Sequence, residues 1–173
     1  MILNTYYKVL AAQIGSNPGG ITIKNWAGVE LALQKATSAD NYAGTMIFAN
    51  ISIVNTAVNG SSGVVFGTGS SVAPDDYTIS GDVISGISYN TAISYFNDGA
   101  KTEKTVVYTI TNNNETDITI SEIGYFEKVP AGKSSSAITY ALIEHTVLDS
   151  PVTIPAGGVG QITYTIRMNY PTA

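Results

Sequence analysis

The sequence predicts an all-β fold: an antiparallel β-sandwich, immunoglobulin-like or jelly-roll-like, with a short N-terminal helix. Three observations carry this. Short β-branched and aromatic runs recur along the chain, clusters of Gly, Pro, Asn and Asp separate them, and no amphipathic helices alternate with them. A parallel α/β sheet needs crossover helices between its strands, so that class is excluded.

The first element is the helix. Residues 5–14, TYYKVLAAQI, set Tyr6, Val9, Leu10 and Ile14 at helical spacing, with Thr5 as the cap and Gly15 where a helix stops. The turn signal SNPGG follows at 16–20. The expected organisation is therefore a helical arm over residues 1–19 and a β-sandwich domain over residues 20–173.

Strand signals begin at Gly20. ITIKN is short and β-branched, whereas VELALQ at 29–34 alternates like a strand but is built from helix formers. TMIFANISIV at 45–54 and ISYNTAISYF at 87–96 read as strands bounded by turns. KTVVYTIT at 104–111 puts Val106, Tyr108 and Ile110 on one face and Val107, Thr109 and Thr111 on the other. In ITISEIGYFE the apolar parity changes between Ile120 and Ile123, which predicts a bulge near Ser121–Glu122. ITYALIEHTVL at 138–148 follows a polar loop. VTIPAGG then turns into VGQITYTIRM, where Ile162, Tyr164, Ile166 and Met168 alternate with polar residues.

Composition narrows the function. The 173 residues fit one domain, or one domain with an arm, and can bury a core without disulfides or metals. Only 12% are charged, about half the usual share, so Ser, Thr, Asn and Gly must supply the polar surface. The net charge of −5 and the absence of any basic run argue against nucleic-acid binding. The absence of cysteine removes disulfides, thiolate metal sites and cysteine nucleophiles. No apolar stretch approaches the roughly 20 residues of a bilayer span, and the N-terminus does not read as a secretion signal. The expectation is a soluble, unprocessed protein with no membrane partner.

The stretch VVFGTGSSVAPDDYTI at 64–79 looks most like a ligand loop. FGTGSS has no following lysine and runs into Pro74 rather than a helix, so it cannot be a phosphate loop; a dinucleotide fingerprint fails for want of a third glycine and a helix. Asp75 and Asp76 are candidate calcium ligands, but neighbouring residues on a strand point to opposite faces. APDD reads more simply as a turn in which proline sets φ and aspartate bonds nearby N–H groups. His145, the only histidine, has Asp149 and Ser150 close in sequence, which does not make a triad; its parity with Ile143 and Val147 makes it a partly packed structural residue. No catalytic, cofactor-binding or metal-binding residue is assigned. Tyr6, Tyr7, Trp26, Tyr42, Tyr77, Tyr89, Tyr95 and Phe96 are candidates for interface or glycan contact. Two adjacent tyrosines on a terminal helix cannot both face one core, so Tyr6, Tyr7, Val9, Leu10 and Ile14 are the expected partner-docking residues.

The segments TVVYTITNNNETDITISEIGYF and ALIEHTVLDSPVTIPAGGVGQITYTI, together with 63–79, resemble small β-rich virion proteins of tailed bacteriophages. Tyr125 stands where that pattern has Leu or Tyr, and SSVAPDDY lacks a second Pro-Thr element. The resemblance implies a structural role without catalysis or cofactor. The implied protein decorates or cements the capsid, or is a head fibre, bound outside the head to the major capsid protein or another virion protein. It would be made in the host cytoplasm and carried on the virion. Self-association is expected, trimers first by capsid symmetry. The alternatives are a tail or baseplate adaptor, a fibre-base component, or a carbohydrate-binding adhesin module.

Overall fold

The fold is all-β, an antiparallel sandwich with one short N-terminal helix. The computed structural model describes residues 1–14, 20–34, 54, 62–98, 100–131 and 138–169. Helix α1 spans Asn4–Ile14. The strands are β1 Thr22–Lys24, β2 Glu30–Ala32, β3 Gly63–Gly67, β4 Ile87–Asn97, β5 Lys101–Asn112, β6 Ile118–Pro130, β7 Ile138–Ile154 and β8 Val159–Asn169. The strand expected at 45–54 lies outside the described residues except for Val54, which bridges to Val64 in parallel sense. The chain divides into two compact units, one of Met1–Ser85 with Ile120–Pro151 and one of Gly86–Thr119 with Val152–Ala173.

The first unit holds the sheet β3-β6-β7 and the ribbon β1-β2. Leu3, Val65, Ile79, Phe126 and Leu142 form a buried cluster, with Trp26 and Val83 packed against it. The ambiguous VELALQ segment becomes β2, because pairing with β1 overrides its helix formers. The bulge expected near Ser121–Glu122 falls at the end of the β3 pairing, which fixes the register only as far as Glu122. Pairing with β3 runs unbroken from Gly67↔Glu122 to Gly63↔Phe126. Every residue from Glu122 to Glu127 is buried, and a central strand covered on both faces has no reason to alternate.

Helix α1 begins one residue earlier than expected, and Thr5 lies inside it, buried, rather than capping it. The buried Leu3 sets the start: its carbonyl accepts the Tyr6 N–H at 3.0 Å, and the Asn4 N–H donates to the Pro74 carbonyl at 2.9 Å. Ahead of the helix the chain pairs with β7. The Leu3 N–H donates to the Ile143 carbonyl at 3.0 Å, and the His145 N–H to the Met1 carbonyl at 3.1 Å. The Met1 ammonium lies 2.7 Å from Glu144 Oε1, 2.6 Å from the His145 carbonyl and 2.8 Å from Thr146 Oγ1. Residues 1–14 thus belong to the first unit.

The second unit holds the antiparallel sheet β4-β5-β8. Val106, Tyr108 and Ile110 on β5 and Ile162, Tyr164 and Ile166 on β8 are buried, matching the alternation of both strands. The turn after β5 is organised by the buried Asn112. Its Nδ2 lies within hydrogen-bond distance of the carbonyls of Thr116, Ile154 and Pro155, at 2.8, 3.1 and 3.1 Å. Its Oδ1 accepts from the Asn114 N–H at 3.0 Å. One amide side chain therefore fixes both the NNNETD turn and the start of the PAGG turn.

Candidate functional site

The glycine turn after β3 and the turn at 80–81 converge on one carboxylate, Glu122 of β6. Its Oε1 accepts the N–H groups of Gly69 and Gly81, each at 2.7 Å. Its Oε2 accepts the Ser80 N–H at 2.9 Å, the Ser80 hydroxyl at 2.8 Å and His145 Nε2 at 2.8 Å. Glu122 and His145 are fully buried. This is an anion cradle of backbone amides, filled by a side chain of the same chain.

The cradle explains the glycines of FGTG. A Cβ on Gly69 would stand 1.9 Å from Ser80 Oγ and 2.4 Å from Glu122 Oε1, and one on Gly81 would stand 2.3 Å from the Gly69 nitrogen. Two backbones meet here with no room for a side chain on either. Burial pushes the Glu122 carboxyl up, but the Ser80 N–H, His145, the Ser80 hydroxyl and the Gly81 N–H together outweigh it, leaving the group below its ordinary value.

His145 extends the cluster to the proline–aspartate corner. Its Nδ1 lies 2.9 Å from Asp76 Oδ2, which also accepts the Ala73 N–H at 2.7 Å. The imidazole is thus held between two carboxylates, one at each ring nitrogen. Asp75 turns elsewhere, accepting from Asn4 Nδ2 at 3.1 Å with Lys8 Nζ at 4.0 Å. Among the described residues no group of three or more His, Cys, Asp or Glu side chains could hold a metal ion, and no buried side-chain nitrogen or oxygen lacks a partner. The arrangement is a staple: one carboxylate and one imidazole ring tie two loops and a turn to β6 and β7.

Sequence reasoning placed His145 as packed and Asp76 in turn chemistry, and it weighed Asp149 and Ser150 as neighbours of the histidine. Both of those are exposed on β7, and the true partners are Asp76 and Glu122. Glu122 and Ser80 were missed. The available signal was a lone glutamate inside the apolar run ISEIGYF, facing a lone histidine inside LIEHTVL.

On α1, Tyr7 and Leu10 are exposed, Tyr6 is half-buried with its ring edge-on to Tyr7 at 5.3 Å, and Val9 is buried. Ile14 ends the helix, its side chain outside the described set, as is Tyr42. Trp26 packs on the core, while Tyr77, Tyr89, Tyr95 and Phe96 are exposed. An open cleft of about 290 Å³ lies between α1 and β1, lined by Lys8, Lys24, Glu30, Asp75 and Tyr77 among others, with Lys24 Nζ 5.3 Å from the Tyr77 ring centroid. No helix among the described residues is long and apolar enough to cross a membrane. Comparison with protein-family models, curated proteins and solved structures found no match to this chain.

Proposed function

We propose that this chain is a structural component of a tailed-bacteriophage virion, a capsid-associated protein that decorates or cements the outer face of the head or forms part of a head fibre. The observation that carries the reading is the use made of residues 64–79. The stretch that resembles virion proteins, and that looks most like a ligand loop, is occupied by the protein's own Glu122 and His145. A loop closed around an internal carboxylate–histidine cluster suits persistence rather than turnover. The net charge of −5 suits the outside of a DNA-filled shell, and repeated copies on a lattice turn weak contacts into avidity.

The docking surface in this reading is the outer side of α1, where Tyr7 and Leu10 are exposed. The test is co-sedimentation of the purified protein with phage heads and, separately, with tails. Binding to heads that is lost in Tyr7→Asp/Leu10→Asp supports the reading. Binding to tails alone replaces it with the adaptor or fibre-base role, and binding to neither overturns it.

A glycan-contact reading has one observation in its favour: Tyr77 lies in the cleft among the carboxylates of Glu30 and Asp75 and the hydroxyls of Thr5 and Thr22. An exposed ring beside hydrogen-bonding groups suits a sugar. Glycan-array binding abolished by Tyr77→Ala would favour it.

A further inference from the structure

We infer that β4 is a self-pairing edge, and that a second copy of this chain adds to it antiparallel about a two-fold axis through Ala92. β4 is the outer strand of β4-β5-β8, and among the described residues no strand is hydrogen-bonded to its other side. Natural edge strands are guarded by charges, prolines, bulges or brevity. β4 has none of these guards. Its eleven residues, ISYNTAISYFN, contain no charge and no proline, and its register with β5 runs unbroken from Ile87↔Asn112 to Asn97↔Thr102. Lys101 and Lys104 belong to β5 and lie over the rings of Phe96 and Tyr95.

The occupant follows from the strand's own pattern. Read outward from Ala92, both directions give the same kinds of residue: β-branched Thr91 and Ile93, small polar Asn90 and Ser94, aromatic Tyr89 and Tyr95. A two-fold axis through Ala92 sets Thr91 opposite Ile93 and Tyr89 opposite Tyr95 on one face, the face they share with Tyr108, Val106, Ile110 and Lys104. These are favourable cross-strand pairs. With no charge on either strand, nothing repels at any position. Tyr89, Tyr95 and Phe96 keep 37%, 72% and 49% of their surface exposed; at roughly 200 Å² per aromatic side chain they offer about 300 Å² from each copy, before Ile93 and the edge backbone are added. The pair then sits near the low end of specific interfaces, with half-dimerisation expected at roughly 1–100 µM. The pairing stands whether or not the chain sits on a virion, and it is two-fold where capsid symmetry suggested trimers.

The experiment is sedimentation of the full chain over a concentration series, beside two variants at the exposed Ala92. The expected result is a monomer–dimer equilibrium that Ala92→Lys abolishes with its thermal unfolding unchanged, since two lysines then face each other across the axis. The chain has no cysteine, so Ala92→Cys should give a single disulfide-linked dimer under mild oxidation. A wild type that stays monomeric to its solubility limit overturns the inference. So does a dimer or trimer that Ala92→Lys leaves intact, or a dimer that Ala92→Cys does not cross-link.

Discussion

Gly69 and Glu122 stand 53 positions apart, yet the Gly69 N–H meets Glu122 Oε1 at 2.7 Å in the interior. That contact ties the turn after β3 to β6. Gly69→Ala would press a methyl into Ser80 Oγ and the carboxylate, so a loss of about 1–3 kcal/mol is expected in denaturant unfolding, the range for overpacked sites. Gly20, whose added Cβ meets nothing within 4 Å, is the control. Gly20→Ala should change stability by less than about 0.5 kcal/mol, and equal effects at both positions would refute the close-approach account.

The carboxylate makes the first unit acid-sensitive in a defined direction. Its folded value is held below the ordinary 4.5. The stability it contributes is therefore fully present above pH 4.5 and is lost as pH falls through the lower folded value. Glu122→Gln should cost about 1–3 kcal/mol at neutral pH, because it removes the charged acceptor that the Gly69, Ser80 and Gly81 donors converge on. The gap between wild type and variant should narrow below pH 4.5, measured by urea unfolding across a pH series. A gap that stays constant on acidification would assign the stabilisation to shape rather than charge.

Glu144 runs the other way. Burial pushes its carboxyl up, against the Met1 ammonium and the Thr146 hydroxyl that favour the charged form. Its contribution is present below pH 4.5 and lost as pH rises through the raised folded value. Glu144→Gln should therefore lose more stability at pH 4 than at pH 7 in urea unfolding, the opposite trend to Glu122→Gln.

Asn112 gives a prediction confined to the second unit. Asn112→Ala leaves the carbonyls of Thr116, Ile154 and Pro155 without their shared donor, at an expected cost of about 1–3 kcal/mol. Hydrogen exchange should speed up first in residues 112–117 and 154–158. Faster exchange at Ser80 and Gly81 instead would contradict that placement.

The strands were legible in the sequence wherever one face is buried. Val106, Tyr108 and Ile110 alternate with half-exposed residues, and the structure keeps that order. Legibility ended where burial became two-sided. The parity change from Ile120 to Ile123 and Tyr125 falls on a central strand buried on both faces, where alternation is no guide. The staple was half legible. His145 read as packed and Asp76 as a turn residue, but nothing local to Glu122 points to Gly69, Ser80 or Gly81, because those donors are backbone groups. A backbone N–H leaves no mark in a sequence except the glycines that let it approach.

One histidine in 173 residues, sealed between Asp76 and Glu122, makes this protein its own spectroscopic reporter. In an imidazole-edited NMR spectrum the whole chain contributes one ring. Both of its ring nitrogens are engaged by carboxylates, and the ring is fully buried. Ring signals in the buried environment would mark an intact first unit, and their shift to free-imidazole positions would register its opening, without assignment of the rest of the molecule.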